Sequence, residues 1–597
     1  MMKTNIKKWL VLIPALSSAV WVFNACNKKF LNNPPTGSLA SSQLANENGL
    51  QGLLTGAYAA LDGQGSGNNA IAGGNPWETP ADNWIYGAIA GGDNHKGSSL
   101  GDQPPIVPIA TMQQDPTNGF FNDKWNALYE GIARCNAVLA TCKLATTVSA
   151  TEITEFQAEA RFLRGHYYFD LTKMFGKVPW IDETTTNFIQ PNDSLRWPEI
   201  EADFQFAATN LPAVQPQVGQ VNKWAADAYL AKTYLYEAKY AQAMTLFDQV
   251  IAQGETSNGL AYALTARFED NFDAAHKNNS ESVFVIQQNA NDGTNSIANA
   301  NGGDMLNYPY NSPFRCCGFF QPTIDLANSY RTDANGLPLP DTYNNFPVKN
   351  DMNIASTAAF TPDAGNLDPR LDWTVGRRGI PFHDWGAHPG NNWIRDQASA
   401  GPYSNKKNIY WQYNASSFSD QSTWAPGNAI NINIIRFSDV LLMDAECHAQ
   451  GGDLSGAESL VNLVRARAAN PATILCTYLD PANPVAGFST TPAANYVVSQ
   501  YPAGYFSSQT IALKAIYFER KLELACEGHR FFDLVRWGTA STVLNAFYAY
   551  EGAITDDLPS AHYTVGKNEV FPIPLNQITL ETVGGSSLLK QNPGYSQ

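Results

Sequence analysis

Charge is scarce in this chain: Asp, Glu, Lys and Arg make up 15% of 597 residues, against about 25% in an ordinary soluble domain. The charge present leans acidic, with 54 Asp and Glu against 38 Lys and Arg and a net charge of −16. No basic stripe runs along the sequence, which excludes nucleic acid as a partner, because phosphate binding needs clustered cations to displace counterions. Beyond the first 25 residues no long apolar run occurs, which excludes a polytopic membrane protein. There is no CxxC pair, so a thiolate zinc site has no support. Strand-like alternation is rare, Glu281 to Gln288 being the best example. Apolar and ring-bearing residues are plentiful at 44% and 12%, which excludes a disordered chain. A large globular protein facing neutral ligands fits this balance, and a helical solenoid lets such a length form one continuous body.

The N-terminus stands apart. Lys3, Lys7 and Lys8 precede a mostly apolar stretch from Trp9 to Phe23, too short for a permanent membrane anchor and suited to a signal peptide. Phe23-Asn24-Ala25-Cys26 follows and resembles the lipobox of bacterial lipoproteins. Residues 1–25 are therefore expected to be removed and Cys26 lipidated. Loss of three lysines takes the net charge from −16 to −19. Such a protein is anchored to a membrane by lipid while its body stays in water.

Seven further cysteines, Cys135, Cys142, Cys316, Cys317, Cys447, Cys476 and Cys526, make an odd number, so complete disulfide pairing is impossible. Cys135 and Cys142 lie seven apart on an expected helix, about 10 Å along its axis, beyond the roughly 7 Å reach of a disulfide. They read as core thiols. Cys316 and Cys317 are expected to be a reduced pair, with a vicinal bridge as the alternative.

Helical periodicity dominates. Ile153, Phe156, Ala160, Leu163, Tyr167, Leu171 and Met174 repeat at three and four, and Gly176 then stops the helix. Ile511, Ala515, Phe518, Leu522 and Ala525 do the same near the C-terminus. Val221 to Gly254 reads as two helices joined near Ala238 to Tyr240 and resembles a tetratricopeptide unit. Small Ala231 and Ala243 let the paired helices approach, while Tyr234 and Phe247 fill the space beside them. A weaker copy runs through Ala445, His448, the Gly451-Gly452 turn, Ala457 and Val461. One hairpin cannot bury its own core, so at least three or four packed pairs are expected. The fold class is mostly α, with such hairpins mainly in 121–254 and 434–470 of a single body spanning 26–597. Long loop-rich tracts, 63–118, 289–322 and 343–433, interrupt it. Their tryptophans and tyrosines favour order and ligand binding.

Several motifs occur in an order that points to one family. Arg161-Phe162-Leu163-Arg164-Gly165-His166-Tyr167-Tyr168-Phe169-Asp170-Leu171 leads into Phe175-Gly176-Lys177-Val178-Pro179; Trp125, Tyr129, Ile132 and Asn136 precede it. Pro322-Thr323, Asp368-Pro369-Arg370-Leu371, Ile435-Arg436-Phe437 and Asn462, Arg465, Arg467 and Ala468 come next. Glu519-Arg520, Glu523-Leu524, Glu527-Gly528, Arg530, Asp533-Leu534 and Arg536-Trp537-Gly538 are followed by Phe571-Pro572-Ile573-Pro574 and Gln591-Asn592-Pro593-Gly594-Tyr595. This series resembles the SusD/RagB family of Bacteroidetes outer-membrane lipoproteins. The resemblance implies a surface nutrient-binding protein on tetratricopeptide-like helices. Its partner would be a TonB-dependent, SusC-like transporter, its cargo oligosaccharides or, in RagB-like relatives, peptides, and it would need no cofactor.

A sugar presents apolar faces edged with hydroxyls, so its site needs exposed rings with polar side chains at the rim. Trp77, Asp82, Trp84 and Tyr86, with Asn94 beyond them, supply both kinds in the first tract. Tyr308, Tyr310 and Phe314 in the second, and Trp385 and Trp393 in the third, complete the expected ligand set. Trp125 and Trp537, inside helix motifs, are expected in the core. Gly97-Ser98-Ser99-Leu100-Gly101 matches a nucleophile elbow but lacks the strand and helix that expose such a serine. Glu519, Glu523 and Glu527 form a ladder on one helix face, whereas glycosidases place two carboxyls on opposite sides of a sugar; with Arg520, Arg530 and Arg536 nearby they read as a structural ion-pair network. His383 and His388 are too isolated for a metal site, and Asp333-Ala334-Asn335-Gly336 reads as a turn. Neither a metal nor a catalytic residue is expected. Binding without chemistry leads; a surface-anchored glycoside hydrolase and a tetratricopeptide adaptor for protein partners are the alternatives.

Overall fold

A computed structural model describes residues 41–63, 75–293 and 300–596; the expected signal segment and Cys26 lie outside them. The helices stack in a continuous series. We number them α1 (Glu47–Ala59), α2 (Gly119–Cys142), α3 (Ala150–Phe175), α4 (Trp197–Asn210), α5 (Lys223–Tyr236), α6 (Tyr240–Gln253), α7 (Phe437–Gly451), α8 (Leu454–Ala468), α9 (Gln509–Glu523), α10 (Arg530–Arg536) and α11 (Ala540–Glu551). From α1 to α8 each packs on the next. The step from α6 to α7 crosses the whole of 254–436, so the two hairpins recognised in sequence become spatial neighbours.

Local chemistry sets the ends of these helices. Ser149 and Glu152 cap each other's backbone at the start of α3, satisfying two orphan N–H groups. Gly176, at φ +70°, ends it in a conformation other residues resist. Close approach within the stack comes from Gly131, packed on the Tyr167 ring, and Gly165, packed on Phe204. Arg164 explains its place in the α3 motif: its guanidinium bonds Asp203 of α4 at 2.7 Å, Asn136 of α2 at 3.0 Å and Glu183 at 2.8 Å. Ala231, Ala243 and Phe247 are fully buried, as expected of the tetratricopeptide slots, each large apolar side chain contributing roughly 1.5–3 kcal/mol. Trp125 is in the core, but Trp537 is half-buried, stacked on Tyr517 at 3.8 Å.

Strands are short and bind the loop tracts to the stack. We number them β1 (Asn94–Gly97), β2 (Ser282–Ile286), β3 (Phe319–Pro322) and β4 (Ile432–Arg436). β2 and β4 pair antiparallel, so the long insertion leaves and returns through one ladder whose last residue, Arg436, leads directly into α7. β1 and β3 likewise join the first tract to the second. The first tract docks on the C-terminal part of the chain where Gly87 and Gly528 touch; a side chain at either would strike backbone.

Beneath these ladders sits the acidic face of α9. Glu519 pairs with Arg370 and Arg465; Glu523 with Arg370, Arg436 and Arg467; and Glu527, just beyond the helix, with Arg436 and Lys407. The ion-pair network is present, but its cations are not those expected from sequence. Arg520 turns instead to Asp439 and Asp533, and Arg536 to Glu446 and Asp533, because they lie on other faces of their helices. Including Glu281 and Asp368, five carboxylates meet five cations, all buried. Burial alone would raise the Glu523 carboxyl; Arg467, Arg436 and Arg370 together hold it well below the ordinary carboxylate range.

Cys135 and Cys142 are buried free thiols, while Cys316 and Cys317 form a vicinal disulfide rather than the reduced pair expected. Glu523→Ala removes one carboxylate shared by three buried guanidiniums and leaves the cluster one negative charge short. It is expected to cost about 3–5 kcal/mol, as for other broken buried pairs, read as a lowered denaturant midpoint.

Candidate functional site

Six of the ten expected ligand residues are interior and are corrected here. Trp84 is fully buried, its Nε1 donating to Gly303 O at 3.0 Å and its ring 5.4 Å from Phe320. Tyr86 donates to the carbonyl oxygens of Glu78 and Phe120. Asn94, in β1, donates to Phe320 O at 3.0 Å. Tyr308 and Phe314 stack on each other inside a cluster with Phe382, Ile409 and Tyr410. Trp77 is nearly covered. The rings of 75–118 are sandwiched between the helical stack and the second loop tract, while Tyr308 and Phe314 are covered by the third.

Asp82 is also no rim residue. It lines a hollow of about 50 Å³ with Asp304, Asn405, Lys407 and Asn408. Burial pushes its carboxyl up to about 6, and that of Asp304 well above the usual range. The neighbours of Asn94 are structural too. His95 joins Glu551 at 2.9 Å and Asp557 at 2.8 Å, and Lys96 Nζ donates to the carbonyl oxygens of Gly97, Ser99 and Asp102. Ser99 is followed by turns and a short 3₁₀ helix, Pro104–Ile106, rather than the helix of a nucleophile elbow. His383 and His388 bond separately to Lys406 O and Ser404 Oγ, and Asp333 closes its expected turn through Asn335 N and Leu337 N.

Exposed rings do exist, in a strip contributed by the second and third tracts. Tyr310 is 38% and Trp424 53% accessible. Trp424 stands edge-on to Trp77, centroids 6.0 Å apart, so the covered Trp77 props the exposed ring. Arg315 donates to the carbonyl oxygens of Thr423 and Gln421 and to the Gln421 side chain, tying its own loop to that of Trp424. The vicinal disulfide and Gly318 follow in the chain, and Gly318 abuts Tyr310 and Arg395. The Arg395 guanidinium lies 5.3 Å over the Tyr310 ring and bonds Asp102 and Ser98, both at 2.7 Å. Asn311 reaches Asn392 O across the same edge. The strip thus offers two ring faces, two guanidiniums and several amides.

Trp385 and Trp393 are half-buried and sit beneath this strip. The Trp385 Nε1 donates to Tyr410 O at 2.8 Å, its ring 4.8 Å from Phe314; Trp393 packs edge-on to Phe382 at 5.3 Å. Trp424, Arg315 and Arg395, which the strip brings together, were not among the site residues expected from the sequence. For Trp424 a local signal exists: it lies in a polar run, Ser416 to Thr423 with only Phe418 apolar, and has no periodic apolar neighbours. A separate groove of about 640 Å³ lies beside α2, lined by Tyr129, Asn136, Ile181 and Phe188, the last 67% exposed.

A stack of helical hairpins carrying ring-bearing loops defines a class of helical-repeat binding scaffold. The SusD family model matches residues 280–595, more than half of the chain, and a second, described as "starch-binding associating with outer membrane", matches 98–235. The chain belongs to the SusD family. It is 23% identical over 477 residues, 77% of each chain, to SusD-like protein P25 of Formosa agariphila. Among solved structures it resembles a SusD superfamily protein of Bacteroides vulgatus, with TM-score 0.65 and 20% identity, covering 92% of this chain and 99% of that one. It also resembles a laminarin-binding SusD-like protein, with TM-score 0.60 and 23% identity, covering 92% and 100%. Surface glycan-binding protein A of Bacteroides thetaiotaomicron in complex with laminarihexaose matches with TM-score 0.61 and 20% identity, covering 92% and 99%.

The His95 bridge yields a pH dependence. Burial opposes its charge, but Asp557 and Glu551 outweigh that and raise its pKa from 6.5 to about 10. A raised folded pKa stabilises fully below the unfolded value and loses its effect as pH climbs to the folded one. The stability gap between wild type and His95→Gln, measured by denaturant unfolding, is expected to be largest below about pH 6.5 and to close towards pH 10.

Proposed function

We propose that this SusD-family protein binds oligosaccharide on the strip formed by Tyr310, Trp424, Arg315 and Arg395, without altering it chemically. The observation that carries the reading is the pair of exposed rings with guanidinium and amide groups at their edges, an arrangement that matches the apolar faces and hydroxyl rim of a sugar. Trp77, Trp385 and Trp393 serve as supports that hold the platforms rigid, which lowers the ordering cost of binding. The carboxylates one might offer for hydrolysis, Glu519, Glu523 and Glu527, are buried and saturated by cations, which favours capture over cleavage. The laminarin and laminarihexaose of the structural relatives make β-glucans the first ligands to try.

The place of action in this reading is the outer membrane. Cys26 anchors the chain by lipid, the body faces the exterior, and cargo passes to a SusC-like TonB-dependent transporter. The lipobox-like N-terminus and the membrane association in the matching family description support it. A RagB-like, peptide-binding reading rests on the groove beside α2 with its exposed Phe188, a shape suited to an apolar side chain.

Calorimetry of the mature chain against laminarin, other polysaccharides and a peptide panel is the test. Glycan binding is expected, weakened about tenfold, or about 1.4 kcal/mol, by Trp424→Ala or Tyr310→Ala, with no new reducing ends released. Binding of peptides alone would move the assignment to the RagB-like reading, and release of reducing ends would make the protein a hydrolase.

A further inference from the structure

Outside the loop tracts, one cluster at the seam of the helical stack has the makings of a metal centre. Asp248 on α6 and Asp444 and His448 on α7 bring two carboxylates and an imidazole together, one ligand atom from each lying within 4.8 Å of the others. His448 Nε2 is 3.5 Å from an Asp248 oxygen and 3.7 Å from an Asp444 oxygen. These separations are too long for hydrogen bonds. They are close to the spacing of about 3.3 Å between ligands on a tetrahedral ion with bonds of about 2.0 Å.

Two further observations point to a cation. Asp444 is fully buried, yet neither of its carboxylate oxygens has a hydrogen-bond partner, a cost a native interior avoids unless something meets the charge. The other imidazole nitrogen, His448 Nδ1, lies 2.8 Å from Asp453 Oδ2. That contact places a proton on Nδ1 and points Nε2 at Asp248 and Asp444, so an ion that displaces the Nε2 proton would meet the carboxylate–histidine arrangement that orients metal ligands. Asp453 is itself held, since its other oxygen accepts from Gly456 N at 3.0 Å and caps α8. Gly456 matters here: a Cβ there would strike both Asp453 Oδ2 and His448 Nδ1.

We propose that Asp248, Asp444 and His448 bind zinc, with Asp453 positioning the histidine and water completing the shell on the side where Asp248 is exposed. One imidazole and two carboxylates suit zinc better than calcium, which takes six to eight oxygens. The ion would staple α6 to α7, the contact on which the two halves of the chain meet across the insertion. This goes beyond the binding function and does not depend on it.

The test is zinc titration calorimetry on chelator-stripped mature chain. One zinc per chain is expected, lost in Asp248→Asn, Asp444→Asn and His448→Ala. Asp453→Asn and Gly456→Ala are expected to weaken it about 10- to 100-fold, the usual effect of removing an outer-shell partner. Asp248 is exposed, so its variant retains the fold, checked by circular dichroism, and keeps the test decisive if Asp444→Asn misfolds. Cobalt(II) in place of zinc should give the visible absorption of a tetrahedral site. No uptake by the wild type, uptake unchanged in Asp248→Asn, or calcium binding in place of zinc would overturn the proposal.

Discussion

Glu523 meets three guanidiniums that arrive from three separate parts of the chain, and the architecture is organised around that meeting. Arg436 ends β4 and starts α7, Arg467 lies on α8, and Arg370 belongs to the third loop tract. Each charge is buried, so each is tolerable only while its partners stay in place. The balance of five carboxylates and five cations means that the cluster as a whole carries no net charge into the interior. An acidic helix face that would repel itself in isolation thereby becomes the point where helical stack and loop tracts are locked together.

From that lock follows the shape of the rest. The insertion between α6 and α7 leaves through β2 and returns through β4, so its length is free to vary on the outside while its base is held. The loops are ordered in layers. An inner layer, with Trp84, Tyr86, Tyr308 and Phe314, is as buried as any helix core, and the outer layer, with Tyr310 and Trp424, is carried on it. Rigid display of a few rings therefore needs many hidden ones, which accounts for the aromatic content of tracts that look like binding loops along their whole length.

Much of the helical scaffold was legible because helix burial leaves a periodic mark. The repeat from Ile153 to Met174, the Gly176 stop, the small-large pattern of Ala231, Ala243 and Phe247, and the strand within Glu281 to Gln288 all appear at their expected places. The ladder of Glu519, Glu523 and Glu527 was recognisable as structural, but its cations were not, since Arg370, Arg436, Arg465 and Arg467 all come from other segments, far from the three acids in sequence. In the loops no period exists. Burial of a loop ring is set by segments far away in the chain, so only the polar run before Trp424 marked it as different from the interior Trp84.

The sequence by itself determined that helical hairpins form, where two of them lie and the family to which their motifs belong, because those depend on residues three and four apart on a regular surface. Only the tertiary structure decided that α6 and α7 are neighbours, which arginines neutralise α9, and which rings of the loop tracts face water. Those outcomes depend on contacts between segments far apart in the chain, where burial is set by what happens to lie across the gap.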